Sequence, residues 1–178
     1  MRAQTSVLVT ALMTFFPAVT AAQQTFAADI TAEQVNEVLA TMGRSIDRQL
    51  KVVDIGIGNV AVGILHRTGA NDSDGELSGM IHTQLSEVYY ILSGGGTLLT
   101  GGEIMNATEP SPDRIVGPTF GGDSRNGRVR QVSAGDIVII PAGVLHGWTL
   151  IPDQVTYLSF RPDPHGILPA GFINPQID

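Results

Sequence analysis

Gly135-Asp-Ile-Val-Ile-Ile-Pro141-Ala-Gly143-Val-Leu-His146-Gly-Trp148 is the stretch of sequence that decides the fold. Ile137–Ile140 is an apolar run too short for a helix and rich in β-branched residues, so it reads as a buried strand. Pro141 and Gly143 then supply a turn, because proline presets its own φ and cannot donate to a ladder while glycine takes the dihedrals a tight reversal demands. His146 stands at the head of the next strand, Gly147–Ile151. The turn therefore determines where its imidazole points.

Working upstream, His82-Thr-Gln84-Leu-Ser-Glu87-Val-Tyr-Tyr-Ile-Leu-Ser-Gly94 sets a histidine five residues before a glutamate that opens a second apolar strand. Side chains alternate faces along a strand, so an odd spacing would separate the two. A bulge or bend around Gln84 to Ser86 brings both to one interior. If Glu87 faces inward, Tyr89 and Ile91 share its face while Val88 and Tyr90 pack outside, and Trp148 accompanies His146 by the same parity.

Both stretches resemble the paired motifs of the cupin superfamily. Gly135, Pro141, Gly143 and His146 match the second motif, Gly-x5-Pro-x-Gly-x2-His, at each of those positions, with Leu150 where the family usually has Asn. His82, Glu87 and Gly94 match the latter part of the first motif, His-x-His-x4-Glu-x6-Gly; Met80 stands at its first histidine, and Gly75 lies one position out of register with its opening glycine. The resemblance covers roughly residues 50–160. It implies an all-β fold, a cupin-type double-stranded β-helix (jelly-roll) barrel, with one divalent metal (Fe, Mn, Zn or Ni) held by His82, Glu87 and His146. Met80 cannot replace the missing imidazole as a hard ligand, since a thioether suits soft ions. Gln84, two residues from His82, is the candidate to fill that place through its carbonyl oxygen.

The rest of the chain fits a single domain. Thr31 and Gln34 form a capping box that opens a short helix with Val35, Val38, Leu39 and Met42 on one face and Gly43 as its stop. From Leu50 onward, short segments rich in Val, Ile, Tyr and Thr alternate with Gly, Pro, Asn and Asp, the rhythm of a sandwich or barrel. The expected strands are Lys51–Ile57, Val60–His66, Glu87–Leu92, Gly96–Thr100, Val129–Val132, Asp136–Ile140, Gly147–Ile151 and Gln154–Phe160, with Gly94-Gly95-Gly96 as a turn. Residues 101–128 read as a long connection between two halves of the barrel, and 161–178, with four prolines, as an extended arm on its own barrel or a partner's. At the start, Arg2 followed by the apolar run Val7–Val19 and small residues to Ala22 reads as a signal peptide over 1–22. The expectation is export, to a periplasmic or secreted location, with 23–49 as an N-terminal segment and no membrane partner once the signal is removed.

Composition narrows the chemistry. The 17 acidic against 10 basic residues leave a formal charge of −7, and no basic stripe could neutralise phosphates, so nucleic acid is not an expected partner. With no cysteine and Lys51 as the single lysine, thiol chemistry has no candidate and Schiff-base chemistry only one. Gly56-Ile-Gly58-Asn-Val-Ala61 mimics a dinucleotide fingerprint but precedes a strand rather than a helix. Asp72-Ser-Asp74-Gly75-Glu76 reads as a hairpin turn rather than a calcium loop.

The expected function is that of an enzyme acting on a small molecule within the barrel, dioxygenase-like or with isomerase or lyase chemistry. Two histidines and a carboxylate form the facial set that leaves positions open for substrate or O₂. The alternative is a non-catalytic cupin that holds a metabolite or metal in the cell envelope. Met80, Tyr89, Trp148, His66 and Arg161 are the candidates for lining the pocket. Among them, His66 reads better as a structural or surface histidine and Arg161 as a surface ion pair. A homodimer is expected, joined through outer strands and terminal arms.

Overall fold

The structure, a computed structural model, describes residues 26–69 and 77–178. The Val7–Val19 run and the Asp72–Glu76 turn lie outside the described residues. Helix α1 spans Ala32–Ala40 and starts where the capping box puts it: Thr31 Oγ1 accepts from the Gln34 N–H, and Gln34 Oε1 accepts from the Thr31 N–H. Gly43, at φ +57°, lies just past its end.

Ten strands follow: β1 (Asp47–Asp54), β2 (Asn59–Thr68), β3 (Ser78–His82), β4 (Glu87–Thr100), β5 (Glu103–Met105), β6 (Thr119–Arg125), β7 (Arg128–Ser133), β8 (Ile137–Ile140), β9 (His146–Leu150) and β10 (Gln154–Asp163). Every pairing is antiparallel. One sheet runs β1-β2-β10-β4 with β8 on the far side of β4; the other runs β4-β9-β3-β6-β5 with β7 also against β4. This two-sheet jelly roll is the all-β, cupin-type barrel that the motifs imply.

β4 belongs to both sheets, and its glycines explain how. The Gly94-Gly95-Gly96 run is not the expected turn but the corner where one continuous strand crosses from β10 and β8 to β7 and β9. A Cβ at these positions would strike the carbonyl oxygens of Gln154, Val132 and Leu150 in turn. The neighbouring backbones come too close for any side chain.

Two further expectations change. Residues 101–128 are not a bare connection, because β5 and β6 pair with each other there and β6 also pairs with β3. Gly121 and Gly122 in β6, like Gly79 in β3, dilute the β-branched signal that marks a strand, which is why both strands escape a reading by composition. β1 ends at Asp54 rather than Ile57, leaving Ile55 and Ile57 exposed in the turn to β2.

Parity sorts the barrel's two faces. Leu65, Tyr89, Ile91, Leu98, Val155 and Tyr157 meet in the interior core. On the outer face of the first sheet, Val38 of α1 and Met42 just beyond it lie over Leu50 and Ile64, and Ile177 of the C-terminal arm joins them. Burying an aliphatic side chain of this size contributes about 1.5–3 kcal/mol. The arm lies along its own barrel: Ile173 bridges to Lys51, the Asn174 N–H donates to the Leu50 carbonyl, and its side chain donates to the Gln49 carbonyl at 2.7 Å.

Candidate metal centre

His82 is the last residue of β3, Glu87 the first of β4 and His146 the first of β9, so each sits where a strand meets a turn. Thr83–Ser86 supplies the bend between the first two, with Leu85 buried as its anchor. The Pro141–Gly143 turn fixes the third, and the Gly143 N–H donates to the His82 carbonyl, tying one ligand's strand to the other's turn. Ligating atoms of all three side chains lie within 4.8 Å of one another, and all three residues are buried.

The hydrogen bonds around the rings decide what those atoms can do. His146 Nδ1 lies 3.0 Å from the Val144 carbonyl, which only accepts, so Nδ1 carries the hydrogen. His82 Nδ1 lies 2.7 Å from Thr119 Oγ1, and that hydroxyl gives its own hydrogen to the Gly117 carbonyl at 3.0 Å, so it too accepts. Both rings therefore turn Nε2, the nitrogen left to hold a proton or a metal ion, toward Glu87 Oε2, at 3.4 Å from His82 and 3.1 Å from His146. His146 Nε2 is buried and has no hydrogen-bond partner. Such a pair of rings faces a carboxylate favourably only with protons or a metal ion between them, and outer-shell acceptors that fix the rings through Nδ1 in this way are the usual companions of metal-bound histidine. The residues present fit a divalent ion.

Glu87 is held from behind. Its Oε1 accepts from Ser159 Oγ at 2.7 Å and from Arg161 Nε at 3.1 Å, and its Oε2 accepts from the Tyr89 hydroxyl at 2.8 Å. Burial pushes the Glu87 carboxyl up, but His146, His82 and Arg161 outweigh that and hold it well below the usual carboxylate range. Arg161 is wholly buried; its Nη1 donates to Gln49 Oε1 at 2.7 Å and its Nη2 to Asp47. Burial would lower the pKa of its guanidinium, yet Asp47 and Glu87 raise it above its ordinary value. A Cβ on Gly63 would lie 2.8 Å from Arg161 Nη1, so β2 leaves a bare backbone where the guanidinium crosses.

The structure brings only some of the expected pocket residues together. Met80, Tyr89 and Trp148 line a cavity of about 180 Å³ beside His146. Tyr89 is buried, with its ring 6.1 Å from that of His146. Gln84 is not a fourth ligand. It is exposed and lines an outer hollow of about 330 Å³ with Thr83, Ile57 and His165, because the bend after His82 turns it away from the barrel. His66 faces outward, its Nδ1 2.9 Å from Thr156 Oγ1, since inward-facing Leu65 fixes the parity of β2. Arg161 is neither a surface ion pair nor a cavity-lining group. It stands behind Glu87, because β10 runs three residues past the expected end of the strand and alternation carries 159, 161 and 163 inward.

Sequence reasoning missed Ser159, Asp47, Gln49, Thr119 and Arg67. Parity along β10 and β2 could have found Ser159 and Arg67. Thr119 gives no such signal, since its strand was not visible.

No family model matches the chain, and no curated protein is significantly similar to it. Solved structures are similar at low identity. A protein from Bacillus halodurans is 16% identical over 86% of this chain and 90% of its own, with a TM-score of 0.43. An uncharacterized conserved protein with a double-stranded β-helix domain from Klebsiella pneumoniae is 18% identical over 69% and 82%, at 0.40. The DMSP lyase DddQ from Ruegeria pomeroyi is 17% identical over 58% of this chain, which spans 38% of that one, at 0.38. The cupin-type fold rests instead on strand order and on the two motifs.

Proposed function

We propose that this chain, a cupin by fold and by motif spacing, is a metalloprotein that acts on a small organic molecule inside its barrel. One observation carries the reading: two imidazoles, each fixed with hydrogen on Nδ1, turn Nε2 onto a single oxygen of Glu87. A divalent ion held there, whether Fe, Mn, Zn or Ni, would supply a Lewis acid with open positions, suited to oxygenation and equally to isomerase or lyase chemistry.

The chain's own residues prepare the site. Ser159 and Arg161 hold one Glu87 oxygen in place and Tyr89 donates to the other. Thr119 and the Val144 carbonyl lock the rings. Tyr89 and Trp148 wall the cavity, and Leu98 adds apolar surface to it.

Metal content of protein purified without chelator or His-tag, measured together with O₂ uptake over a panel of small organic substrates, tests the reading. Iron with substrate-dependent O₂ uptake supports oxygenation. Another metal with turnover and no O₂ uptake supports isomerase or lyase chemistry. Metal without turnover of any substrate favours the non-catalytic alternative.

Export and self-association belong to the same proposal. Cleavage near Ala22, read by mass spectrometry of the protein recovered from the cell envelope or medium, supports export; an intact Met1 in the recovered protein contradicts it. For association, Ile137 and Ile139 on β8 are 61% and 72% exposed beside Tyr90 and Phe160, an apolar outer face suited to a second copy. Light scattering on the eluting protein is expected to give a dimer, and Ile139→Asp a monomer.

A further inference from the structure

The cavity beside His146 has an unusual inventory of polar groups. Arg67, inward on β2, shares it with Tyr89, His146 and Trp148, and among the described residues no carboxylate lines it. The Arg67 Nε–H donates to the Tyr157 hydroxyl at 3.2 Å, and among the described residues its guanidinium forms no salt bridge. Tyr157 is wholly buried and its oxygen also accepts from Trp148 Nε1 at 3.3 Å. With two donors on that oxygen, the hydroxyl's own hydrogen is left over, and no acceptor for it stands among the described residues. Tyr89 is different, since its hydrogen goes to Glu87. The cavity thus offers the Arg67 guanidinium, backed by Tyr157, with no carboxylate among its described lining residues to match it.

Charge points the same way. Around the three ligands, the charges of Glu87 and Asp47 cancel those of Arg161 and Arg67. A divalent ion would leave this interior two positive, which is costly in a low dielectric unless an anion enters with it. Asp163 does not fill that role, because its carboxylate lies beyond Arg161 on β10 and takes the amides of Ile167 and Leu168. The volume sets a limit as well: about 180 Å³ is below the ~300–1,000 Å³ of sites for drug-sized ligands.

We propose that this cavity seats a small carboxylic acid bearing a second oxygen function, with its carboxylate on Arg67, which Tyr157 holds from behind, and its second oxygen turned toward His146 and the metal site. A planar guanidinium pairs with a carboxylate through parallel N–H donors. Only the second half rests on the metal reading. The carboxylate seat is made by the chain alone.

Calorimetric titration with lactate, pyruvate and malonate, against the neutral lactamide and malonamide, tests the assignment on the full chain with its metal content measured in the same preparation. At least one acid is expected to bind at least about tenfold more tightly than its amide, and Arg67→Gln to weaken it by about tenfold or more with metal content unchanged. Arg67→Lys keeps the charge and should fall between the two, and Tyr157→Phe should weaken the acid without touching metal, so a misfolded Arg67→Gln does not close the question. Equal binding of acid and amide, binding insensitive to Arg67→Lys and Tyr157→Phe, or no binding of any acid overturns the proposal. If the preparation holds no metal, the metal reading fails separately. Acid binding that still depends on Arg67 would then uphold the carboxylate seat.

Discussion

The interior of the barrel is two environments built on the same two strands. On β4 the inward residues run Glu87, Tyr89, Ile91; on β10, antiparallel to it, they run Val155, Tyr157, Ser159, Arg161. Pairing in this register brings Ile91 to the side of Val155 and Tyr157, within an apolar core, and Glu87 to Ser159 and Arg161, within a buried polar cluster. The apolar end could be refilled by other hydrophobes of similar volume and still fold. The polar end could not, since every member is held by another and three of its buried atoms, on Asp47, Gln49 and His146, have no partner. Of these atoms, His146 Nε2 is the one that the proposed metal ion would satisfy.

Breaking each end separately tests that division. Arg161→Ala should cost the most, about 3–5 kcal/mol in chemical denaturation, because it leaves buried Glu87 and half-buried Asp47 without their counter-charge. Leu98→Ala at the apolar end should cost about 2–5 kcal/mol through the cavity it opens, with metal content unchanged. A large loss of metal from Leu98→Ala would erase the distinction between the two ends. Thr119→Val removes the acceptor that fixes His82, and is expected to lower metal affinity by about 10–100-fold in a chelator competition while leaving the fold intact. Gln84→Ala should change neither stability nor metal content, since the side chain is exposed on the outer wall.

Acid separates the ends as well. Glu87 has a folded pKa well below its ordinary 4.5, so in metal-free protein its stabilisation is present above that value and is lost as pH falls toward the depressed one. Asp47 acts with the opposite sign, because burial raises its pKa despite Arg161 and protonation then favours the folded state. Glu87→Gln removes the Glu87 contribution, so stability below the ordinary carboxylate range should fall more steeply in the wild type than in Glu87→Gln, as read by denaturant midpoints across pH. A steeper fall in Glu87→Gln would contradict the assignment.

Much of this was legible in sequence, for identifiable reasons. The turn at Pro141 and Gly143 and the box at Thr31 and Gln34 are local chemistry, and alternation carried Tyr89 and Trp148 inward from their neighbours. What escaped was non-local. Gly94–Gly96 looks like a turn until the approach of Gln154, Val132 and Leu150 is known, and β6 hides behind its glycines. Arg161 looked like a surface residue because its partners, Asp47 and Gln49, lie more than a hundred positions away on β1. The candidate ligands were visible and their support was not, since support depends on which strands become neighbours.

The central claim is that His82, Glu87 and His146 form a metal site, and metal content measured on protein purified without chelator or tag tests it most directly. The account predicts about one divalent ion per chain, lost in His146→Ala while the helix and sheet signals persist. Less than about a fifth of an ion per chain, unchanged by that substitution, would contradict it.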